Sequence, residues 1–403
     1  MKMKKLVSLL MVAALSASML TGCGSSNDAA GSSDAATDAA TDATTDAAAE
    51  GTENAAGGTL KIGGIGPLTG SAAVYGTAVA NAAQLAVDEV NAAGGVNGVQ
   101  LELNFQDDEC DAEKSVNAYN TLKDWGMQML VGAVTSGCSI AVSEYSKDDN
   151  MFQLTPSGSA VECVQYDNAF RVCFSDPNQG LASAQYIGEN NLATKVAVIY
   201  DSSDIYSSGI YEKFAAEAAN QNFEIVSAEA FTADNKTDFS VQLQKAKDAG
   251  ADLVFLPIYY TEASLILSQA DKMGYAGLDG ILNVENFDTS LAENVMLLTP
   301  FAADATDDLT VNFVKNYKDK FNGETPNQFA ADTYDAIYAI KAAAEKAGIT
   351  ADMSASDICD AMKSAMTEIT VNGLTGNITW SADGEPTKEP KAVKIVNGSY
   401  TAM

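Results

Sequence analysis

The chain has 403 residues, 54 of them Asp or Glu against 23 Lys or Arg, for a formal net charge of −31. It contains no histidine and one arginine, Arg171, which excludes His-based catalysis, removes the commonest metal ligand and leaves no arginine cluster for phosphates. So large a carboxylate excess excludes nucleic acid as a partner, while 47% hydrophobic residues suffice to build a core.

At the amino terminus, Lys2, Lys4 and Lys5 precede an apolar run, Leu6 to Leu20, shorter than the ~20 residues of a membrane span. Leu20-Thr21-Gly22-Cys23 follows and resembles the lipobox of bacterial lipoproteins. We expect an export signal over residues 1–22, cut before Cys23, with a lipid on that cysteine. Residues 23–58 are then the lipid anchor and a low-complexity tether of Asp, Ala, Thr, Ser and Gly, with seven acidic residues and no basic one. Nothing there can repay the entropy of ordering, so the segment reads as a solvated coil spanning roughly 30–35 Å. The expected location is the extracellular face of the cell membrane, with the lipid as the only membrane contact.

From Thr59 onward, strands and helices alternate. Strands are expected at Leu60–Ile65, Gln100–Gln106, Met129–Val134, Met151–Thr155, Ala169–Phe174, Lys195–Tyr200, Glu224–Phe231, Leu253–Ile258, Gly280–Val284 and Val295–Thr299. Continuous apolar runs such as Val196-Ala197-Val198-Ile199 suit strands buried on both faces of a parallel sheet. Amphipathic helices are expected at Val74–Ala93, Ser115–Trp125, Pro177–Asn190, Ser208–Gln221, Phe239–Asp248, Glu262–Met273, Thr310–Phe321, Phe329–Ala347 and Ser356–Met366. Such alternation over 345 residues predicts an α/β protein of two doubly wound lobes, with ligands beyond the carboxyl ends of the strands.

The loops after the strands carry the candidate chemistry. Gly63-Gly64-Ile65-Gly66-Pro67-Leu68-Thr69-Gly70 is glycine-rich but matches neither a dinucleotide fingerprint nor a P-loop. Thr135-Ser136-Gly137-Cys138-Ser139 and Thr155-Pro156-Ser157-Gly158-Ser159 are hydroxyl clusters, each between a strand end and an expected helix start. Backbone N–H groups, hydroxyls and a helix dipole there suit a carboxylate without any arginine; plain helix capping is the competing reading. The second half offers Asp201, Tyr206, Tyr259, Tyr260 and Glu285 at strand ends, and Glu285 could accept from an ammonium group. Asp107-Asp108-Glu109 lacks calcium-loop spacing, so no metal and no cofactor is expected.

Cys163 and Cys173 bracket a short step around Asp167-Asn168 and are expected to form a disulfide. Cys110 with Cys138 is left open as a second pair, and Cys359 as a buried free thiol. No C-x-x-C is present.

An ordered series of motifs runs along the chain. Ile62-Gly63-Gly64-Ile65-Gly66-Pro67-Leu68-Thr69-Gly70, Tyr75-Gly76 and Leu85-Ala86-Val87-Asp88-Glu89-Val90-Asn91-Ala92-Ala93-Gly94-Gly95 open it. Asp107-Asp108, Val134-Thr135-Ser136-Gly137, Thr155-Pro156-Ser157, Phe170-Arg171, Ser175-Asp176, Tyr200-Asp201, Ala330-Ala331-Asp332-Thr333-Tyr334-Asp335-Ala336 and Gly373-Leu374-Thr375-Gly376 continue it. The series resembles the branched-chain amino-acid-binding proteins, type I substrate-binding proteins of ABC transporters. The resemblance implies two lobes joined by a three-segment hinge, here residues 59–175 plus 301–370 and residues 176–300 plus 371–403. It implies that Ser136 binds the ligand carboxylate and that Ser157 and Ser159 hold the head group. It further implies that Tyr75 lines the same side, that Tyr206 with Tyr259 or Tyr260 closes over the ligand, and that Glu285 pairs with the ammonium. Two departures stand out: Val284-Glu285-Asn286-Phe287 replaces the family's Gly-Asp-Gly-Trp, and Ser159 replaces the usual Thr.

The function so implied is a lipid-anchored, monomeric receptor that captures an apolar amino acid and hands it to ABC permease subunits. No bond is made or broken, so it is no enzyme. A ligand sensor for a membrane receptor is the alternative. A secreted amide hydrolase is a weaker one, because without histidine only Ser–Lys or carboxylate pairs remain and none is placed.

Overall fold

The computed structural model describes residues 58–273, 279–282, 292–388, 390–397 and 399–402. All of these lie in one compact unit, Asn54–Met403.

The first lobe begins with β1 (Thr59–Gly66), α1 (Ala73–Ala92), β2 (Gln100–Asp107), α2 (Ala112–Trp125), β3 (Met129–Val131), α3 (Ser136–Asp148), β4 (Gln153–Thr155) and β5 (Ala169–Arg171). The strands form an all-parallel sheet in the order β2-β1-β3-β4-β5. Each short strand is an apolar or fully buried triplet, as a sheet covered on both faces requires. The chain then crosses to the second lobe with α4 (Asp176–Glu189), β6 (Lys195–Asp201), α5 (Ile205–Ala218), β7 (Glu224–Phe231), α6 (Ser240–Asp248), β8 (Leu253–Leu256), α7 (Tyr260–Lys272), β9 (Asp279–Leu282) and β10 (Met296–Thr299). It returns with α8 (Asp308–Lys320), α9 (Gln328–Ala347), α10 (Ala355–Met366) and the hairpin β11 (Val371–Gly373) and β12 (Gly376–Ile378). It ends on β13 (Lys391–Val396) and β14 (Ser399–Ala402), which complete the second sheet in the order β14-β13-β10-β9-β8-β6-β7. The last two strands pair antiparallel; the rest of that sheet is parallel.

The doubly wound class expected from the alternation is the one observed. One boundary differs. Residues 371–380, assigned above to the second lobe, pack in the first: Val371, Leu374, Ile378 and Trp380 belong to its core. The Trp380 indole donates to the Arg171 carbonyl (2.7 Å). The third crossover therefore lies nearer Lys388, whose ammonium donates to the Val172 carbonyl of the first crossover (2.7 Å) and pairs with Asp332 of α9 (2.5 Å).

The two sheets share one logic. In the first, β1 and β3 are neighbours whose connections leave in opposite directions; in the second, β6 and β8 are. Such switch points open a crevice beyond the strand ends. The connections after β1, β3, β6 and β8 lead to Tyr75, Ser136 and Tyr206 in the first turns of α1, α3 and α5 and to Tyr259 just before α7. The lobes meet there. The Tyr260 N–H donates to the Tyr75 hydroxyl (2.8 Å), and the Thr261 hydroxyl donates to the Ser71 carbonyl (3.0 Å). Tyr75, Val79 and Val134 of the first lobe join one continuous apolar cluster with Ile199, Leu256 and Ile258 of the second.

Candidate functional site

A cavity at the lobe junction is lined from the first lobe by Tyr75, Val134, Thr135, Ser136, Ser157, Ser159, Gln328, Phe329 and Asp332. Tyr206, Tyr259 and Leu298 line it from the second, and Cys173, Phe174 and Pro300 from the crossovers. Of the residues expected at the site, six line this cavity. Tyr260 does not; it acts through its backbone N–H on Tyr75 and through a ring contact at 5.2 Å between centroids. Glu285 lies outside the described residues, as do Cys23 and the amino-terminal segments.

Close approach of backbone explains the glycine after Tyr75. A Cβ on Gly76 would sit 2.0 Å from the Pro67 carbonyl oxygen, so only glycine lets the loop after β1 fold against α1 and present the Tyr75 ring. That ring tilts against Phe329 at 4.4 Å and meets Tyr259 edge-on at 5.9 Å; Tyr259 stacks on Tyr206 at 5.1 Å. Burial pushes the hydroxyls of Tyr75, Tyr206 and Tyr259 well above the usual phenol range, so all three are neutral donors.

Ser136 opens α3, and no side chain caps that helix start. Its Oγ accepts from the N–H groups of Ser159 (3.2 Å) and Ala160 (3.1 Å). Its own proton is thereby left to donate into the cavity, where the N-terminal end of α3 favours an anion. Ser157 is arranged differently. Its hydroxyl donates to the Val134 carbonyl (2.7 Å), which ties the loop after β4 to the loop after β3. The lone arginine secures the same loop from below. Arg171 is fully buried, donates to the carbonyls of Gly158 (3.1 Å) and Val161 (3.4 Å), and pairs with Glu385 (3.2 Å). It holds the shape of the hydroxyl loop and touches no cavity surface.

Asp176 was not expected near the site, and it lies behind the cavity wall rather than in its lining. It is 2% exposed, its backbone N–H donates to the Ser159 carbonyl (2.8 Å), and neither carboxylate oxygen completes a hydrogen bond among the described residues. Desolvation pushes its carboxyl up to about 8; the nearby Ser159 hydroxyl and the Arg171 charge pull the other way. Read in sequence, Ser175-Asp176-Pro177 is a plain helix start, and the structure makes it one. Only the fold shows that this carboxyl is buried beside Ser159 and Tyr206 without an ion pair among the described residues. Phe329 and Asp332 do line the cavity and were missed, although the motif that holds Asp332 was recognised. Asp332 is held at about 6 by burial, against the opposing Lys388 charge.

The expected Cys163–Cys173 disulfide is not formed: both thiols are free and buried. Cys163 aims its sulfur at the Ser136 carbonyl (3.7 Å), while Cys173 faces the cavity. Burial pushes Cys163 up to about 12 and Cys173 higher, so neither is a ready nucleophile. Among the described residues no group of acidic or cysteine side chains could hold a metal ion, and no helix is long and apolar enough to cross a membrane.

A bilobed cleft with hydroxyl and N–H donors on one lobe and stacked tyrosines on the other is built to enclose a small molecule. Residues 59–399 match the family described as periplasmic binding protein. The chain belongs to that family. This periplasmic binding protein is 31% identical over 312 residues to Leu/Ile/Val-binding protein homolog 3 of Brucella melitensis, covering 76% of this chain and 84% of the relative. It is 29% identical to the leucine-, isoleucine-, valine-, threonine- and alanine-binding protein of Pseudomonas aeruginosa, over 81% of this chain and 87% of that one. Among solved structures it resembles the branched-chain amino acid transporter substrate-binding protein LivJ of Streptococcus pneumoniae, in complex with isoleucine. The TM-score is 0.77 and the identity 29%, covering 85% of this chain and 98% of that one. These relatives are binding proteins, and this periplasmic binding protein is likewise a binder rather than an enzyme.

Proposed function

We propose that this protein captures a small apolar amino acid, branched-chain in the first instance, between its lobes and delivers it to an ABC permease. Export and a lipid on Cys23 would keep it at the outer face of the membrane, and it would act as a monomer. The observation that carries the reading is the polarity of the cavity. Ser136 offers a hydroxyl proton at the start of α3, where a carboxylate fits. Asp176 places buried negative charge behind Ser159, outside the lining itself, so that it favours an ammonium through that wall, and Glu285 is assigned the direct ammonium contact from the second lobe. The two ends of a zwitterion are thus matched without any cationic side chain. The aromatic wall then takes an apolar side chain. A ligand touching both lobes favours the closed state, already bridged by Tyr260 to Tyr75 and Thr261 to Ser71.

Isothermal calorimetry with a panel of the natural amino acids tests this. Leucine, isoleucine or valine should bind in the micromolar range or tighter, and at a fixed ligand concentration each should raise Tm by an amount that grows with the logarithm of its affinity. A panel with no binder would end the amino-acid reading.

A further inference from the structure

The ligand cavity has a larger neighbour. A space of about 240 Å³ lies beside it, lined by Asn178, Ser183, Gln185 and Lys388 among others, whereas the ligand cavity measures about 50 Å³. Three residues, Phe174, Gln179 and Leu298, line both spaces and so make the wall between them. At ~10–15 Å³ per water centre, the smaller space holds about four waters, roughly 120 Å³ of displaced liquid. That is room for a short side chain on an amino-acid head group and for little more.

Phe174 is the bulkiest of the three partition residues. It sits in the first crossover, between cavity-lining Cys173 and Ser175, the residue that caps α4. Its backbone is held in place: the carbonyl accepts from the Gln179 amide (3.4 Å), and the Ser175 carbonyl accepts from the Gln179 N–H (2.9 Å). A ring on a fixed backbone between two cavities cannot yield far, and a side chain that overfills a packed space is rejected by strain.

Resting on the amino-acid reading above, we propose that Phe174 sets the upper size of the ligand, its ring closing the ligand cavity against the larger space behind it. Removing the ring joins the two spaces. Longer side chains then gain room, and their ends meet the amides of Asn178 and Gln185 and the Ser183 hydroxyl. Ser183 is fully buried, and its oxygen completes no hydrogen bond among the described residues. Hydrophobic pockets discriminate by about 10–200-fold per methylene, so the change is large enough to read.

The experiment is calorimetry with alanine, valine, leucine, methionine and phenylalanine on the purified wild-type protein and on Phe174→Ala, Phe174→Leu and Leu298→Ala, each checked for Tm. The wild type should bind a branched-chain ligand at least about tenfold tighter than phenylalanine. Phe174→Ala should shift that ratio toward methionine and phenylalanine by about tenfold or more, with Phe174→Leu in between. Leu298→Ala opens the same wall from the second lobe and should shift the ratio the same way, which keeps the test intact if Phe174→Ala fails to fold. A wild type that binds phenylalanine as tightly as leucine, or folded variants with an unchanged ranking, would overturn the partition role. A wild type that binds none of the five overturns the amino-acid reading instead, and this inference with it.

Discussion

Asp176 shows how one residue can stand in a recognised motif and still give no sign of the burial that sets its chemistry. Ser136 and Ser159 stood out because hydroxyls cluster after two strands; a single aspartate before a proline reads as the start of a helix. Its burial beside Ser159 and Tyr206 follows from long-range packing at the lobe junction, which no local pattern reports. Its folded-state acidity near 8, against the ordinary 3.8, has two consequences of opposite sign. The folded, empty protein keeps a proton that the unfolded chain releases. Asp176 therefore costs stability progressively as pH rises from about 4 to about 8. Binding an ammonium favours the charged carboxylate, so amino-acid affinity should rise with pH up to about 8 and then level off. Calorimetry near pH 7 in buffers of differing ionisation enthalpy should detect proton release on binding. Asp176→Asn should abolish that release and weaken binding about 10–100-fold, the range for losing a hydrogen-bonded charge. Glu285→Gln should weaken binding comparably. Asp307→Asn should change nothing, since Asp307 caps α8 by accepting from the Thr310 N–H (2.9 Å). A pH-independent affinity would remove Asp176 from the head-group site.

At the scale of elements, most of the strands and helices of both lobes were legible, because buried parallel strands are continuous apolar runs and the helices end at glycines or polar turns. The carboxyl-terminal pieces were not. The triplets Val371–Gly373 and Gly376–Ile378 are too short to show a period, and Lys391–Val396 is a strand only because β10 offers it an antiparallel edge. Cysteine pairing was legible only as spacing, and spacing misled at Cys163 and Cys173. The contact between the β2–α2 loop and the start of α3 is more telling. The neighbouring Cys138 thiol lowers the pKa of Cys110 below the ordinary thiol value; Thr135 adds to this and burial opposes it. Cys110 is thus the better nucleophile of two adjacent sulfurs. Oxidised glutathione should convert this pair to a disulfide, with the two thiol protons and the electron pair leaving on reduced glutathione. The 29-residue loop so closed would stabilise the fold by about 3–4 kcal/mol in the chain-entropy treatment. Thiol labelling after denaturation should find Cys163, Cys173 and Cys359 still reactive and Cys110 and Cys138 protected, with the Tm gain absent in Cys138→Ser. Full labelling of Cys110 after oxidation would show that the loop does not permit the bond.

At the scale of the molecule, the charge met at the outset separates from the binding chemistry. Residues 59–403 carry 47 acidic against 20 basic side chains, a net −27. The buried pair Lys388 with Asp332 and the pair of buried Arg171 with half-buried Glu385 hold the crossovers and the hydroxyl loop, and most other ion pairs are solvent-exposed. The excess negative charge therefore repels itself across the surface and lowers the stability of the compact state. A zwitterionic ligand has no net charge for this field to act on, and the cavity offers it hydroxyl donors, with the Asp332 carboxyl in its lining and the buried Asp176 carboxyl behind it, rather than a charged surface. Salt should thus act on folding and not on binding. Raising sodium chloride from 0.02 to about 0.5 M shortens the screening length from roughly 20 Å to about 4 Å. It should raise Tm by about 2–4 °C, the shift that about 1 kcal/mol gives in domains of roughly this size. Leucine affinity over the same range should change less than about twofold, because the head-group contacts are buried and screened far less than surface charges. If affinity fell steeply with salt while Tm stayed constant, the surface charge would be part of ligand capture, and the zwitterion clamp centred on Ser136 and Asp176 would be the wrong account of the cleft.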